Sequence, residues 1–473
     1  MPLFSIPLSG LTASSTAMSV IANNLANINT VGFKGATTQF QDLFYQTLGV
    51  NGAGDPIQIG AGAGVGATAS NMNSVGVEST GVPTDVAIMG DGFFIVQQNG
   101  MNYYTRAGNF SLSPSGALQT SNGQPVLGYL AVGGVIPAGA TLAPLQLDKG
   151  QINPPKATGS VQLTTNLDAA TLSGDAPLST PVTVYDSLGT AHVLTFNFSK
   201  VAAGSWNCSI TIPNSDLTPA PAWAASTPYS VGQTISPSPA NGHSYKCTVA
   251  GTSGATPPGS WPTDGSTFTD GTVTWQDMGT QTALSTVALA FDSSGKLITP
   301  SGNVGGITAS GLADGAANLT FQWNLYNAAG LPLLTQVAGP STTASTLQDG
   351  YGSGTLTDYS IGSDGTIMGD FSNGRTAALG QLALANFANT QGLARVGDSN
   401  FSATLASGAA VVGAPGTGGL GTVSGGSLEL SNVDIATEFS ALIVAQRDYE
   451  ANARTITTFD RVMEDTINLK SGA

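Results

Sequence analysis

The chain has 473 residues, which is long enough for several domains. It carries 13 Lys and Arg against 28 Asp and Glu, a net charge of −15 at pH 7. This balance argues against nucleic-acid binding, because phosphate contacts need clustered cations. Two His and two Cys offer few ligands for a metal site. We interpret Cys208 and Cys247 as thiols, which could form a disulfide only if they meet in space. A hydrophobic fraction of 41% excludes a wholly disordered chain.

The N-terminal segment has the pattern of an amphipathic helix over residues 7–29, and Gly32 offers a stop beyond it. The apolar stripe consists of Leu11, Met18, Ile21, Leu25 and Ile28. No basic stretch precedes Lys34 and no apolar core precedes a cleavage site, so we expect no cleaved signal peptide. No run of about 18 apolar residues exists, so no membrane insertion is expected either.

The C-terminal segment predicts a longer helix. Ser431 and Asp434 have the spacing of a capping box, and residues 432–470 contain neither Gly nor Pro. Apolar residues recur every seven residues in two lines, one of which is interrupted by Gln446 and Asp460. The lines contain Ile435, Leu442, Tyr449, Ile456 and Met463, and Phe439, Ala453 and Ile467. Such a helix spans roughly 55 Å, and the repeat indicates a coiled coil.

Arg447, Arg454 and Arg461 form a basic line beside these apolar residues, again with a spacing of seven. One interpretation is a solvated helix face with i,i+4 partners such as Glu450. The other is pairing between subunits, or the wall of a polar channel. Three of the 13 cations lie in this line, so both interpretations stay open.

Between the two helices the pattern is that of short β-strands separated by turns. The turns are Asp91-Gly92, Asn99-Gly100, Asp364-Gly365 and Asn373-Gly374. The predicted strands include residues 84–88, 93–98, 102–105, 182–185, 192–198, 287–291 and 381–387. We therefore expect a mainly β, multidomain fold with paired N- and C-terminal α-helices, coiled-coil-like, forming the core domain.

Residues 219–280 stand apart, because aromatic side chains are concentrated there among Pro, Gly, Ser and Thr. Trp223, Tyr229, Tyr245 and Trp275 have two interpretations. Exposed rings form a platform that stacks on sugars, whereas a module of this size needs the same rings as its core. The core is favoured, and two or more coplanar exposed rings would favour the platform.

No motif predicts catalysis or a cofactor, so no enzyme is expected. Gly62 and Gly64 match part of a dinucleotide fingerprint, but no helix pattern follows them. His192 and His243 have no Cys or carboxylate at the spacing of a metal site or a triad, so we expect structural histidines and no bound metal.

The terminal stripes need partners, because two paired helices cover only one side of each other. We expect the chain ends to order when copies of the chain pack together. The chain therefore has the layout of a homopolymer subunit. A surface carbohydrate-binding protein acting through residues 219–280 is the alternative from another class.

The terminal motifs resemble those of the bacterial flagellar rod and hook proteins. The N-terminal motif comprises residues 9–11 (SGL) and 22–35 (ANNLANINTVGFKG), and the C-terminal one residues 431–434 (SNVD) and 444–453 (VAQRDYEANA). Residues 84–88 (TDVAI), 92–96 (GFFIV) and 104–110 (YTRAGNF) resemble the first β domain of this family. Residues 184–190 (VYDSLGT) and 289–297 (LAFDSSGKL) are similar to a second β domain, which favours a hook subunit over the shorter distal rod type, the alternative within the family. Residues 219–280 are similar to small carbohydrate-binding-like modules.

The resemblance implies four regions. They are a terminal helical core domain (1–30 and 430–473), a connecting segment with the first β domain (31–147 and 346–429), a second β domain (148–218 and 281–345) and an outermost inserted β module (219–280). The apolar helix residues and the three Arg of the basic line would then lie at subunit interfaces.

The resemblance also implies a function and partners. Subunits would leave through the flagellar type III export apparatus and assemble into a curved tube, a universal joint that passes torque from rod to filament. The partners would be other copies of the chain, the distal rod protein, the hook cap protein and the hook–filament junction protein, with the hook of the flagellum, outside the cell, as the location.

Overall fold

The computed structural model describes residues 4–148 and 150–471. The chain divides into two compact units, Met1–Gln151 with Leu356–Ala473, and Ile152–Thr355. Most of the described residues that have regular structure form β-strands, and two long helices lie near the chain ends. The structure thus has the mainly β class, with N- and C-terminal helices, that the sequence predicts. Neither helix within the described ranges is long and apolar enough to cross a membrane.

The first helix, α1, spans Ser5–Ala26, and the second, α2, spans Ile435–Ser471. Helix α1 ends three residues before the predicted boundary, because the chain turns at Asn27. Gly32 follows with φ +64°, and a Cβ there would lie 2.5 Å from the backbone nitrogen of Ala107. The turn therefore requires glycine on both conformational and steric grounds.

The predicted capping box at the start of α2 is wrong. The cap is Asp434, whose Oδ1 accepts a hydrogen bond from the Thr437 amide at 2.8 Å. Ser431 lies outside the helix, where its Oγ is 3.4 Å from the Val433 amide. An aspartate at the N-cap satisfies a free amide of the first turn directly, so no Ser–Asp pair is needed.

Five strands connect α1 to the rest of the first unit. The pair β1–β4 and the pair β2–β3 form two antiparallel hairpin layers, and we call residues 36–70 the ribbon. The last strand of the five pairs with residues Ser427–Glu429, just before α2. The five strands are β1 Ala36–Asp42, β2 Gln46–Val50, β3 Pro56–Ile59, β4 Ala63–Ser70 and β5 Val77–Ser79.

The remaining strands of the first unit form one six-stranded sheet, five strands of a second sheet, and smaller pairs around apolar cores. The strands before the second unit are β6 Val86–Met89, β7 Phe93–Gln98, β8 Met101–Thr105, β9 Ser111–Leu112, β10 Leu118–Gln119, β11 Leu127–Leu130 and β12 Leu142–Pro144. The hairpin between β7 and β8 turns at Asn99-Gly100, both with positive φ, as the sequence predicts.

The second unit contains two five-stranded sheets that enclose one large apolar core. Its strands before the aromatic-rich module are β13 Ile152–Asn153, β14 Ser160–Asn166, β15 Leu178–Tyr185, β16 Ala191–Ala202 and β17 Ser205–Pro213. Those of the module are β18 Pro228–Tyr229, β19 Thr234–Ile235, β20 Tyr245–Val249, β21 Gly251–Thr252, β22 Thr267–Asp270 and β23 Val273–Asp277. Those after it are β24 Gln281–Phe291, β25 Leu297–Thr299, β26 Val304–Ala309, β27 Leu319–Asn324, β28 Leu334–Thr335 and β29 Thr342–Gln348.

The chain then completes the first unit with nine strands. They are β30 Gly354–Ile361, β31 Thr366–Phe371, β32 Thr376–Leu382, β33 Leu384–Asn386, β34 Ala394–Gly397, β35 Asn400–Ser402, β36 Val411–Gly413, β37 Thr422–Gly425 and β38 Ser427–Glu429. One sheet has the order β34-β35-β8-β7-β33-β36, and the other contains β12-β11-β32-β31-β30, with β13 paired to the start of β30. The single strand predicted over residues 381–387 is thus two, one in each sheet.

Candidate functional site

The two helices pack against each other in opposite directions. The ring of Phe4, beside the start of α1, contacts Phe459 near the end of α2, with centroids 6.3 Å apart. Near the other end, Asn24 Nδ2 donates to Glu438 Oε1 at 2.9 Å. A Cβ at Gly10 would lie 2.8 Å from Asn452 Oδ1, so a small residue at this position allows the helices to approach closely.

This pairing leaves much of the predicted stripe uncovered. Four of the five predicted stripe residues lie on α1 and are half-buried; the fifth, Ile28, is also half-buried but lies in the turn after the helix, contrary to the prediction. The most buried positions of α1 include smaller residues such as Ala13 and Ala17. On α2 the residues Leu442, Tyr449 and Ile456 are half-buried. The exposed predicted residues are Ile435, Phe439, Met463 and Ile467.

The second predicted line of α2 is exposed except at Ala453, which is half-buried. Ala445, Asn452 and Phe459 are more buried and lie three residues, rather than four, after the first line. Phe439 is 52% exposed and Ile467 is 63% exposed. Both three- and four-residue steps give helical neighbours, so the heptad pattern did not decide between them.

The basic line lies on the surface of α2. Arg447, Arg454 and Arg461 are exposed. Arg454 Nη2 is 3.9 Å from Glu450 Oε2, an i,i+4 pair with both side chains mostly in solvent. Such a pair contributes little to the stability of one subunit.

A groove of about 460 Å³ runs beside the helix pair, between α1, β1 and α2. Its apolar lining includes Val20, Ile21, Phe40, Ala441 and Val444. The ribbon carries further exposed apolar side chains, and Phe44 at its bend is 93% exposed. The others are Phe40, Tyr45, Leu48, Val50, Ile57 and Ile59. The sequence analysis missed this surface, although the alternating apolar residues of 40–59 were a signal for it.

A buried ionic cluster links the segment that follows α1 to the segment that precedes α2. Lys34 Nζ lies 2.7 Å from Glu429 Oε1, and Arg106 Nη1 lies 3.4 Å from Glu429 Oε2. Burial lowers the pKa of Lys34, and the hydrogen bond and charge of Glu429 offset this only in part. Burial likewise lowers the pKa of Arg106 against the charges of Glu429 and Asp91. The Glu429 carboxylate, just before α2, therefore pairs with Lys34, which follows α1, and with Arg106.

The aromatic residues of the inserted module form its core rather than a platform. Tyr245 and Trp275 are fully buried and Trp223 nearly so, while Tyr229 is half-buried and packs edge-on against Trp275 at 4.9 Å. The alternative interpretation, a flat sugar-stacking surface formed by these four rings, is therefore wrong. The module has few other large apolar side chains, so burial of the rings is what its fold requires.

Both histidines have carboxylate neighbours that the sequence spacing did not reveal. His243 Nδ1 lies 2.8 Å from Asp277 Oδ1. His192 Nδ1 lies 3.1 Å from Asp216 Oδ2, and its Nε2 lies 3.2 Å from Asp186 Oδ2. Burial alone would lower the pKa of His192, but the hydrogen bonds and charges of Asp216 and Asp186 outweigh it and raise that pKa.

Cys208 and Cys247 are free thiols in separate cores.

Four family models match successive parts of the chain. They describe a flagella basal body rod protein (residues 6–34), the D1 domain of flagellar hook protein FlgE/F/G (87–166), the FlaE D2 domain of flagellar basal body proteins (156–351) and the C-terminal region of flagellar basal body rod FlgEFG proteins (424–469). The terminal helices and the β units between them are therefore those of a flagellar rod or hook protein.

Relatives that match over nearly their whole length show which protein within this class the chain resembles. The chain is 32% identical to the flagellar hook protein FlgE of Escherichia coli K12, over 99% of this chain and 100% of the relative. It is 31% identical to the FlgE of Treponema pallidum, over 98% of both chains. The crystal structure of Helicobacter pylori flagellar hook protein FlgE2 matches 74% of this chain and all of that chain, at 17% identity and a TM-score of 0.40. The chain belongs to the flagellar hook protein FlgE family and is a structural subunit of the flagellar hook.

Proposed function

We propose that this hook subunit assembles by covering the apolar side chains of its terminal helices and ribbon with those of neighbouring copies. The observation that carries the proposal is the exposure of Phe44, Phe439 and Ile467 in a single subunit. Burying one such side chain contributes about 1.5–3 kcal/mol. The apolar groove between α1, β1 and α2 adds to this exposed surface, and exposed apolar surface of this kind marks interaction sites.

The finer assignment of the helices follows from the same surface. In the polymer, α1 and α2 would form a coiled-coil-like core domain that lines the inner tube. Leu11, Met18 and Leu25 on α1 would meet the apolar lines of α2 across subunit boundaries. The interface would use the remaining sequence-predicted residues, Ile21, Ile28, Ile435, Leu442, Tyr449, Ile456, Met463, Arg447, Arg454 and Arg461.

The β regions would take the outer layers of the tube. The regions 31–147 with 346–429, 148–218 with 281–345, and 219–280 are proposed as the successive β domains from inside to outside. Only 9% of residues are charged, so contacts between outer domains would depend weakly on salt. Such contacts can slide as the tube bends, while the packed inner helices resist twisting, as a torque-transmitting universal joint requires.

The proposed route and partners are those of an axial flagellar subunit. Subunits would leave through the type III export apparatus without a cleaved signal peptide and polymerise outside the cell. They would meet the distal rod protein at one end of the hook and the hook–filament junction protein at the other, with the hook cap protein present during assembly. This function is structural and assigns no catalytic step to the chain.

The test is polymerisation of the purified full chain, followed by electron microscopy. Phe439→Asp combined with Ile467→Asp should abolish short curved tubes, because each buried charge would lack a partner. The matched control is Thr458→Asp, which adds a charge at an exposed polar position of the same helix. Tubes formed equally well by the double variant, with unchanged helix content of the free subunit, would overturn the proposal.

A further inference from the structure

Four acidic and imidazole groups converge at one place in the second unit. His192 on β16 is almost fully buried, with Asp216 on its Nδ1 side and Asp186 on its Nε2 side. Asp314, from the loop between β26 and β27, completes the group. Asp186, His192 and Asp314 each offer one ligand atom, and these three atoms lie within 4.8 Å of one another.

The backbone fixes the carboxylates before any ligand arrives. Asp186 is fully buried, and its Oδ1 accepts hydrogen bonds from the amides of Leu188 at 2.8 Å and Thr190 at 2.9 Å. The Ala313 amide donates to the carbonyl of Asp216 at 3.0 Å, and the Ala316 amide donates to Asp314 Oδ1 at 3.0 Å. These bonds fix the Asp186 and Asp314 carboxylates through their Oδ1 atoms, while the bond to the Asp216 carbonyl fixes the main chain of Asp216.

Metal binding through Nε2 requires the neutral form of His192 in which Nδ1 carries the hydrogen and faces Asp216. When His192 is neutral and donates its Nδ1 hydrogen to Asp216, the Nε2 lone pair points toward Asp186. This is the arrangement by which an outer carboxylate orients a metal-bound histidine. Three lone-pair donors then face one another, and two of them are carboxylates that repel unless a cation or a shared proton lies between them.

We propose that Asp186, His192 and Asp314 bind a divalent transition-metal ion, with Zn²⁺ the best match, and that Asp216 is the positioning residue for the imidazole. One imidazole nitrogen and two carboxylate oxygens suit Zn²⁺, whereas Ca²⁺ and Mg²⁺ prefer a shell made of oxygens only. Asp314 is exposed, so its side gives an entry path and room for water as the remaining ligand. The ion would tie the 186–190 turn to the 311–317 loop beside the segment that leads into the inserted module.

The experiment is calorimetric titration of the full-length, untagged and EDTA-treated subunit with ZnCl₂ at neutral pH. We expect one ion per chain and a rise in Tm. Asp314→Asn, at an exposed side chain that the fold tolerates, should weaken binding by roughly tenfold or more, as should His192→Gln. Asp216→Asn should weaken binding while leaving the stoichiometry at one. His243→Gln is the matched control, because it removes the other histidine of the chain, and it should bind Zn²⁺ as the unaltered subunit does.

Three results would overturn the proposal. They are no one-to-one binding, equal affinity in the Asp314→Asn and His192→Gln variants, or CaCl₂ binding as tightly as ZnCl₂ does. The first would mean that the cluster holds only a proton, and the second that the acidic surface binds metal diffusely. The third would indicate an oxygen-only site that does not use His192.

Discussion

Lys34 Nζ and Glu429 Oε1 lie 2.7 Å apart with both side chains fully buried, although 395 positions separate them in the chain. Lys34 follows α1 and Glu429 precedes α2, so this ion pair closes the loop that contains all the β-strands of the described residues. The Lys34 ammonium also donates to the carbonyl of Asn73 at 2.8 Å. The segment that leaves α1 and the segment that enters α2 are therefore fixed to each other at one point.

Lys34→Met should destabilise the first unit by about 3 kcal/mol, because a buried Glu429 would keep only its longer contact to Arg106. Urea unfolding monitored by circular dichroism measures this change. Lys156→Met is the matched control, since Lys156 and Asp349 form an ion pair whose side chains are 52% and 37% exposed. Its loss should cost under about 1 kcal/mol. Equal effects of the two substitutions would contradict a special role for burial.

The sequence predicted the elements that depend on local chemistry. The strand 93–98, its Asn99-Gly100 turn and both helices follow from spacing and turn residues within a few positions of each other. Relationships across the chain were not predictable in this way. The Lys34–Glu429 pair and the approach of Asp314 to His192 depend on topology that joins distant segments. The apolar residues of α2 were predictable only in part. Their periodicity predicted that the helix has apolar faces, but it did not predict which of these faces α1 covers.

Asp270 should be essential to the inserted module. Its Oδ2 accepts hydrogen bonds from Trp223 Nε1 at 2.7 Å and Trp275 Nε1 at 3.4 Å, and its Oδ1 accepts from the Gly254 amide at 2.9 Å. Asp270→Leu leaves these buried donors unpaired, at a cost of about 3 kcal/mol or more. Hydrogen exchange should accelerate across residues 223–278 alone.

The control for this substitution is Asp264→Ala, which removes an exposed carboxylate from the same module. It should leave hydrogen exchange in the module unchanged except at the Ser266 amide, which donates to Asp264 Oδ1 at 3.1 Å. Faster exchange throughout the second unit in Asp270→Leu would show that the module and the surrounding sheets unfold together, contrary to the separate apolar cores.

The module should be removable, because β17 and β24 are already antiparallel neighbours. Pro213 pairs with Gln281, and the Asn214 amide donates to the Thr280 carbonyl at 2.9 Å. Replacing residues 219–279 by an Asn-Gly linker keeps Asp216 and Leu217, which contact the 311–317 loop and the core of the second unit, and should therefore join β17 and β24 through a short loop. We expect the shortened subunit to unfold cooperatively and to polymerise, as measured by calorimetry and electron microscopy. A chain that folds but forms no tubes would place the module within the assembly contacts.

The start of α2 should respond to acid through its cap. The hydrogen bond from the Thr437 amide lowers the pKa of Asp434 below its ordinary value of 3.8. A carboxyl group with a lowered pKa stabilises the folded state above its unfolded pKa, and this contribution disappears as the pH falls through the folded pKa. The Thr437 amide should therefore exchange faster with solvent below pH 3.8, relative to amides in the middle of α2. Asp434→Asn retains a good cap without the titrating group, so its exchange should lack this step. An identical acid response in both chains would show that another group controls the helix end.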